Sequence, residues 1–216
     1  MDRAWAVAIQ ADGKIVASGR ARPVGPTNFD YALVRYLPTG ALDPDFGNGG
    51  KVVIHILDVN FGRRVAIQPD GRILMTGAAC RDLGMDQIRC SPGTIRVDDR
   101  GVLDPTFGAG GTVVTDLGGH DSSAEDVALQ SDGKILVTGS VSYEDPRGVS
   151  NAVLLRYLPD GSLDASFGEA GVSETNYGYY SNFVFTVAVQ ADSRIVTGAA
   201  TGGAAQNSAV IARYQQ

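Results

Sequence analysis

The chain has 216 residues, of which 44% are hydrophobic and 19% are charged. This composition supplies one sizeable apolar core and excludes a disordered chain. The formal net charge is −6 at pH 7, and Lys and Arg form no cluster along the sequence. We therefore expect no nucleic-acid partner. No apolar stretch approaches the roughly 18 residues that a membrane span needs, so we expect no membrane insertion.

The first predicted element is a β-hairpin that begins at residues 7–15. These residues read Val-Ala-Ile-Gln-Ala-Asp-Gly-Lys-Ile. The Asp-Gly pair between two apolar runs supplies the positive φ angles of a tight hairpin turn. A third strand is predicted over 31–36 and a fourth over 51–56, after a Leu-Asp-Pro-Asp-Phe-Gly turn at 42–47. Four short strands in succession are typical of one β-propeller blade.

The same two motifs return along the chain. The hairpin motif starts again at Val65, Val127 and Val187, at spacings of 58, 62 and 60 residues. The Leu-Asp-x-x-Phe-Gly motif returns at 103–108 and 163–168. Two motifs in register indicate a true repeat of about 60 residues. We divide the single domain, residues 1–216, into repeats at approximately 2–57, 58–117, 118–177 and 178–216.

The repeat predicts an all-β, β-propeller-like array of four blades with about four strands each. A β-sandwich has no reason to repeat at this period, and a β-solenoid usually uses a shorter one. The last blade is predicted to be incomplete, because the sequence ends after its third strand. An unpaired strand edge is a template for another chain, so we expect self-association.

The fourth repeat departs from the other three. Ser193 stands where the other repeats have Gly, and 195–198 is one residue shorter than the equivalent motif at 15–19. A shift of one residue reverses which side chains of a strand face inward. We therefore expect a bulge or an irregular terminal blade at this point.

The repeated motifs resemble those of a known family. The motifs Val-Ala-x-Gln-x-Asp-Gly-Lys-Ile, Ala-Leu-x-Arg-Tyr-x-x-x-Gly and Leu-Asp-x-x-Phe-Gly-x-x-Gly are similar to the bacterial delta-60 repeat, a β-propeller-like module of secreted and cell-surface proteins. The resemblance covers almost the whole chain. It implies a propeller-like fold and a secreted, periplasmic or cell-surface location. It implies no particular set of catalytic residues.

One arginine position recurs in the four predicted third strands, and an aspartate follows eight residues later in three of them. The set is Arg35, Arg96, Arg156 and Arg213, with Asp43, Asp104 and Asp164. We interpret it as a structural Arg–carboxylate pair that fixes the next turn, with Phe46, Phe107 or Phe167 packed underneath. The alternative is a ring of cations that binds an anion at the axis.

Two cysteines, Cys80 and Cys90, lie in the predicted connection between the second and third strands of repeat two. They form no Cys-x-x-Cys motif and no His lies near them, so zinc is poorly supported. A disulfide is the favoured interpretation, and it agrees with an oxidising compartment. Two unrelated free thiols remain the alternative.

The connections between second and third strands differ most among the repeats, at approximately 20–29, 79–92, 140–150 and 199–208. They are expected on one face, where binding function usually lies. The candidate binding residues are Arg81, Asp82, Asp86, Arg89, Tyr143, Glu144, Asp145 and Arg147. The leading hypothesis is a non-enzymatic extracellular scaffold that binds a protein or a glycan. The alternative is that these are surface loops without a ligand.

A competing hypothesis is an ester or phosphoester hydrolase with its site at the axis. Its candidate residues are His120, Asp121, Glu125 and Asp126, in an acidic connection predicted over 116–126. We expect no cofactor, with calcium as the one candidate ion. Its weak candidate ligands are Asp43, Asp45, Asn48 and Asp116. The alternative is a solvated acidic loop, and no linear hydrolase, zinc-protease or phosphate-loop motif occurs.

Overall fold

The computed structural model describes residues 2–22, 28–145, 147–178, 180–202 and 207–215. All strands within these ranges belong to four antiparallel sheets, one after another along the chain. Within the described ranges, no helix is long and apolar enough to cross a membrane. The all-β, propeller-like fold class predicted from the repeat is confirmed.

The strands of each sheet pair in chain order. The first sheet contains β1 (Arg3–Ile9), β2 (Ile15–Ala21), β3 (Asp30–Tyr36) and β4 (Lys51–Ile54). The second contains β5 (Val59–Ile67), β6 (Ile73–Gly84), β7 (Gln87–Val97) and β8 (Thr112–Val114). The third contains β9 (Asp121–Leu129), β10 (Ile135–Ser142), β11 (Ser150–Tyr157) and β12 (Val172–Thr175). The fourth contains β13 (Ser181–Val189), β14 (Ile195–Gly202) and β15 (Asn207–Tyr214), so this last blade has three strands among the described residues.

The four sheets stack side by side as blades, with their first strands together on one side of the array. The strands β1, β5, β9 and β13 contact each other in sequence, so the first strand of each blade lies on the inner side of the array. Extensive contacts join each sheet to the next one along the chain. The described strands of the first and fourth sheets form no extensive contact, so both ends of the array are open.

The hydrophobic core lies between consecutive blades. Leu33, Phe46 and Val52 of the first blade pack against Ile73 and Met75 of the second. These side chains are buried because the inner face of each sheet is covered by the next sheet. Covering both faces of the inner blades explains why their strands are nearly continuous apolar runs.

An arginine holds the turn between third and fourth strands in three blades. In the second blade the Arg96 Nε donates to Asp104 at 2.8 Å, and the guanidinium stacks on Phe107 at 4.6 Å. Its Nη1 donates to the carbonyl of Pro159 in the next blade. The same pairing to aspartate and stacking on phenylalanine occur at Arg35 and Arg156. These arginines therefore tie a turn to its own blade, as the structural interpretation requires.

The fourth blade contains a bulge, as expected, but it keeps the register of the other blades, so the one-residue loss inferred at 195–198 does not occur. Ile195 pairs with both Val189 and Tyr214, as Ile15 does with its two equivalents in the first blade. The fourth-repeat motif moves its glycine by one position without removing a residue from the ladder. Ser193 occupies the positive-φ turn position, with φ of 66°.

A bulge occurs in the first strand of every blade and is not peculiar to the fourth. It falls at one repeated position, which holds Trp5, Arg63, Glu125 and Phe185. A bulge leaves one residue outside the ladder and re-aims its side chain. Four chemically different side chains are therefore presented by equivalent positions of the inner strands.

Candidate functional site

We define the loop face as the end of the blades from which the connections β2–β3, β6–β7, β10–β11 and β14–β15 emerge. Because each sheet is antiparallel, the connections from one blade to the next reach the same end. The face therefore collects segments from all four repeats. Residues 23–27 and 203–206 of the first and fourth predicted loops lie outside the described residues.

The connection of the second repeat is a hairpin and not the loop that was predicted over 79–92. Both strands continue beyond the sheet and end in a tight turn at Met85 and Asp86, which have φ of 53° and 59°. Cys80 and Cys90 face each other across the hairpin and form a disulfide. The disulfide joins the two strands where they leave the sheet, and the hairpin beyond it is exposed.

A cleft lies on the loop face between the second-blade hairpin and the third-blade loop. Its volume is about 580 Å³. Its lining residues are Arg89, Gly118, Gly119, His120, Tyr143, Glu144, Asp145, Arg147 and Val149. Five of the eight candidate binding residues and His120 therefore lie together. Arg81 lines a neighbouring depression of about 460 Å³ with Arg89 and Asp116, whereas Asp82 and Asp86 line neither cavity.

Two aromatic rings form one wall of this loop-face cleft. The rings of His120 and Tyr143 lie 4.6 Å apart between centroids, at 59° to each other. The Tyr143 hydroxyl donates to Glu174 Oε1, which also accepts a hydrogen bond from Asn151 Nδ2. Partial burial and the adjacent Glu174 carboxylate raise the pKa of Tyr143 to about 12. Tyr143 therefore stays neutral at physiological pH and is fixed in position.

Ion pairs form the rim of the cleft. Arg89 Nη2 lies 3.4 Å from Glu144 Oε1, joining the hairpin to the third-blade loop. Arg147 donates to both carboxylate oxygens of Asp145 at 2.9 Å, and these hydrogen bonds lower the pKa of Asp145 to about 2. The Arg147 guanidinium also lies 5.6 Å from the ring centre of Tyr180. The rim is charged and exposed, so its groups are available to a ligand.

The candidate residues of the hydrolase hypothesis contact different partners. The predicted acidic connection ends at His120, because β9 already begins at Asp121. Asp121 accepts the backbone N–H of Cys90, and Asp116 accepts that of Gly119. Within the described ranges, no group of three or more His, Cys, Asp or Glu could hold a metal ion.

The remaining two residues of that hypothesis lie inside strand β9. Glu125 Oε2 pairs with Arg63 at 3.2 Å, and burial raises the pKa of Glu125. Asp126 pairs with Arg64 at 3.7 Å and accepts the backbone N–H of Val187 from the next blade. Both carboxylates therefore link the inner strands of neighbouring blades.

The weak calcium candidates of the first repeat lie at the opposite end of the blades. Asp43 contacts Arg35 at 2.8 Å and Lys14 at 3.4 Å, and its second oxygen accepts the backbone N–H of Asp45. Asn48 donates its backbone N–H to Lys51. Both oxygens of the Asp43 carboxylate therefore contact groups that stabilise the turn between β3 and β4.

The fold defines the chain as an array of β-propeller blades. Residues 10–46 and 130–167 match a family model described as "Domain of unknown function (DUF5122) beta-propeller". This match supports a β-propeller repeat and does not single out the delta-60 repeat. No curated protein matches the sequence.

Solved structures with a similar fold include exo-1,5-alpha-L-arabinanase from a bovine ruminal metagenomic library. It is 12% identical, with a TM-score of 0.52, and the match covers 97% of this chain and 72% of the arabinanase. Cellvibrio cellulosa alpha-L-arabinanase is 10% identical with a TM-score of 0.48, covering 97% and 72%. The mannose phosphorylase MPT-4 from Leishmania mexicana is 15% identical with a TM-score of 0.47, covering 95% and 65%. At these identities the similarity concerns the fold alone.

Proposed function

We propose that this chain is a non-enzymatic binding module that recognises a glycan in the loop-face cleft. The observation that carries the proposal is the cleft itself, in which Arg89, His120, Tyr143, Glu144 and Arg147 converge from two blades. A regular scaffold that presents irregular segments from several repeats at one end is typical of a binding surface.

The chemistry of the cleft suits an oligosaccharide. Its volume of about 580 Å³ lies in the range of small-ligand sites. Arg89, Arg147 and Glu144 offer several charged hydrogen-bonding groups to hydroxyls. The aromatic wall of His120 and Tyr143 offers an apolar surface to one face of a sugar ring.

We also propose a secreted, periplasmic or cell-surface location. The disulfide between Cys80 and Cys90 supports it, because disulfides persist in oxidising compartments. The disulfide also braces the hairpin that carries Arg89, so an oxidising setting preserves the cleft.

Screening the purified chain against an array of neutral and acidic oligosaccharides tests the glycan proposal. For a glycan that binds, Arg147→Ala should weaken binding at least tenfold. The matched control is Arg194→Ala, because Arg194 pairs with Asp192 at 2.9 Å across the same two-residue spacing but lies at the opposite end of the blades. Equal loss in both variants, or no bound glycan in the array, would contradict the proposal.

The hydrolase hypothesis makes a different prediction. Cleavage of a bound ester or phosphoester by the wild type, abolished by a chelator and by His120→Ala, would favour that function over the binding module. Binding of the array glycan without turnover is the result that we expect.

Self-association is the second part of the proposal, and a second copy is the partner that we infer. On the free face of the first sheet, Val7 and Ile9 are 63% and 69% exposed. Their equivalents in the second blade, Val65 and Ile67, pack against the core between the blades. Equivalent sheet faces are buried at the three interfaces between consecutive blades. The exposed face of the first sheet is therefore suited to pack against another blade of the same type.

A further inference from the structure

Four arginines gather at the loop-face end of the first two blades, although they are scattered in the sequence. Arg3 begins β1, Arg20 lies near the end of β2, Arg22 directly follows that strand, and Arg63 occupies the bulge of β5. Arg3 and Arg20 are paired residues of neighbouring strands. Burial, together with the like charges of Arg3, Arg63 and Arg22, lowers the pKa of Arg20.

Aromatic rings lie close to these arginines. The Arg20 guanidinium lies 4.0 Å from the ring centre of Phe29 and 5.0 Å from that of Phe61. Arg22 lies 4.9 Å from Phe29. We call these residues, with Arg3, Trp5 and Arg63, the arginine–aromatic cluster. Stacking uses the faces of a guanidinium and leaves its N–H edge free for hydrogen bonds.

Trp5 joins the cluster from the bulge of β1. The guanidiniums of Arg3 and Arg63 each lie 5.8 Å from its ring centre. Its side chain is 46% exposed, although large aromatic residues usually lie buried. Trp5 therefore presents an open ring surface between two cations.

Carboxylates balance only part of the positive charge of the cluster. Arg63 pairs with Glu125 at 3.2 Å, but no ion pair joins Arg3, Arg20 or Arg22 to a carboxylate in the part of the chain that the structure describes. The Asp2 carboxylate accepts a hydrogen bond from the backbone N–H of Arg22. The neighbouring residues 23–27 contain no acidic residue. The Nε atoms of Arg20 and Arg63 are buried and have no hydrogen-bond partner among the described residues.

We propose that the arginine–aromatic cluster is an anion site that binds the carboxylate or sulfate groups of an acidic glycan. Crowded cations of this kind repel one another, and a bound oxyanion relieves the repulsion while accepting their N–H groups. The exposed Trp5 ring supplies an apolar surface for the sugar that carries the anion. This site is made of different residues from the loop-face cleft, so either can fail while the other stands.

The tryptophan offers a direct readout, because Trp5 is the only tryptophan of the chain. Titration with polygalacturonate, as the carboxylate probe, and with heparin, as the sulfate probe, should change Trp5 fluorescence at 50 mM salt. The affinity should fall at least tenfold at 300 mM salt, because screening weakens exposed charge pairs. Neutral dextran should leave the fluorescence unchanged.

The variant Arg3→Gln/Arg22→Gln should weaken binding of polygalacturonate or heparin at least tenfold. The matched control Arg194→Gln removes one exposed arginine elsewhere and should bind as the wild type does. Both arginines of the double variant lie at strand ends, and a melting temperature within about 2 °C of the wild type verifies its fold. Arg3→Lys/Arg22→Lys, which retains both charges, should recover part of the affinity.

Three results would overturn the proposal of an acidic-glycan site as a whole. The first is an unchanged affinity in the double glutamine variant, and the second is an absence of response to both acidic glycans. The third is tighter binding of single-stranded DNA than of either glycan, which would assign the cluster to nucleic acid. A response to sodium sulfate as strong as that to heparin would refute the glycan part, because a free anion would then suffice.

Discussion

Replacing Arg96 by Met tests whether the repeated arginine stabilises the blades. The Arg96 side chain is 6% exposed and its Nε donates to Asp104 at 2.8 Å. Its Nη2 donates to the Thr106 hydroxyl at 3.0 Å, and its Nη1 donates to the carbonyl of Pro159 in the third blade. Methionine retains most of the apolar contact with Phe107 but makes none of these hydrogen bonds.

The expected loss follows from the partners that remain. Removing one member of a buried ion pair typically costs about 3–5 kcal/mol. Here Arg72 still lies 2.9 Å from Asp104, which lowers the cost. We therefore expect Arg96→Met to reduce the free energy of unfolding by about 2–4 kcal/mol. For a chain of this length that corresponds to a fall in Tm of roughly 5–15 °C.

Differential scanning calorimetry at pH 7 measures this effect, and Arg213→Met is its control. Arg213 occupies the equivalent position in the fourth blade, but its side chain is exposed and forms no ion pair among the described residues. Its replacement should shift Tm by less than about 2 °C, as expected of a surface substitution. An unchanged Tm in Arg96→Met, or an equal fall in both variants, would refute the structural role.

Three further results are expected. Hydrogen bonds from Ser166 hold the pKa of Asp164 well below its ordinary value, so the ionised carboxylate stabilises the fold fully above about pH 4, and this contribution is lost as the pH falls through the lowered folded-state pKa. The Tm of Asp164→Asn should therefore depend less on pH below about pH 4 than the Tm of the wild type. Parallel acid profiles of the two proteins would contradict this. The double variant Cys80→Ser/Cys90→Ser should unfold in urea with a free energy lower by about 2–3 kcal/mol, whereas a midpoint equal to that of the wild type would exclude a stabilising disulfide. Light scattering should detect self-association of the wild type, and Val7→Glu should reduce it. A strict monomer at high concentration would contradict self-association through the free face of the first sheet.

The blades could be predicted because their signals are local and repeated. An Asp-Gly pair between apolar runs specifies a hairpin whatever surrounds it, and its return in register with the phenylalanine turn defines the blade. The pairing of Arg35 with Asp43 was predictable for the same reason, since both residues repeat at a fixed spacing of eight. Local rules of this kind need no knowledge of the neighbouring blade.

The candidate sites depend on contacts between repeats, which leave no linear pattern. Arg89 and Glu144 are 55 residues apart and meet because consecutive blades stack. The arginine–aromatic cluster likewise joins Arg3 and Arg63 from two repeats. Its arginines form no basic run in the sequence, so the sequence did not predict it. The extended hairpin around Cys80 was missed because its polar strands lie beyond the sheet, where apolar alternation is not required.

Hydrogen–deuterium exchange with and without a glycan identified on the array shows which end of the blades binds the glycan. We expect protection of residues 118–120, 143–145 and 147–149 on the loop face, with the β1–β2 and β13–β14 turns at the opposite end unchanged. Protection confined to those opposite turns, or no protection at a saturating glycan concentration, would contradict a binding module that uses the loop-face cleft.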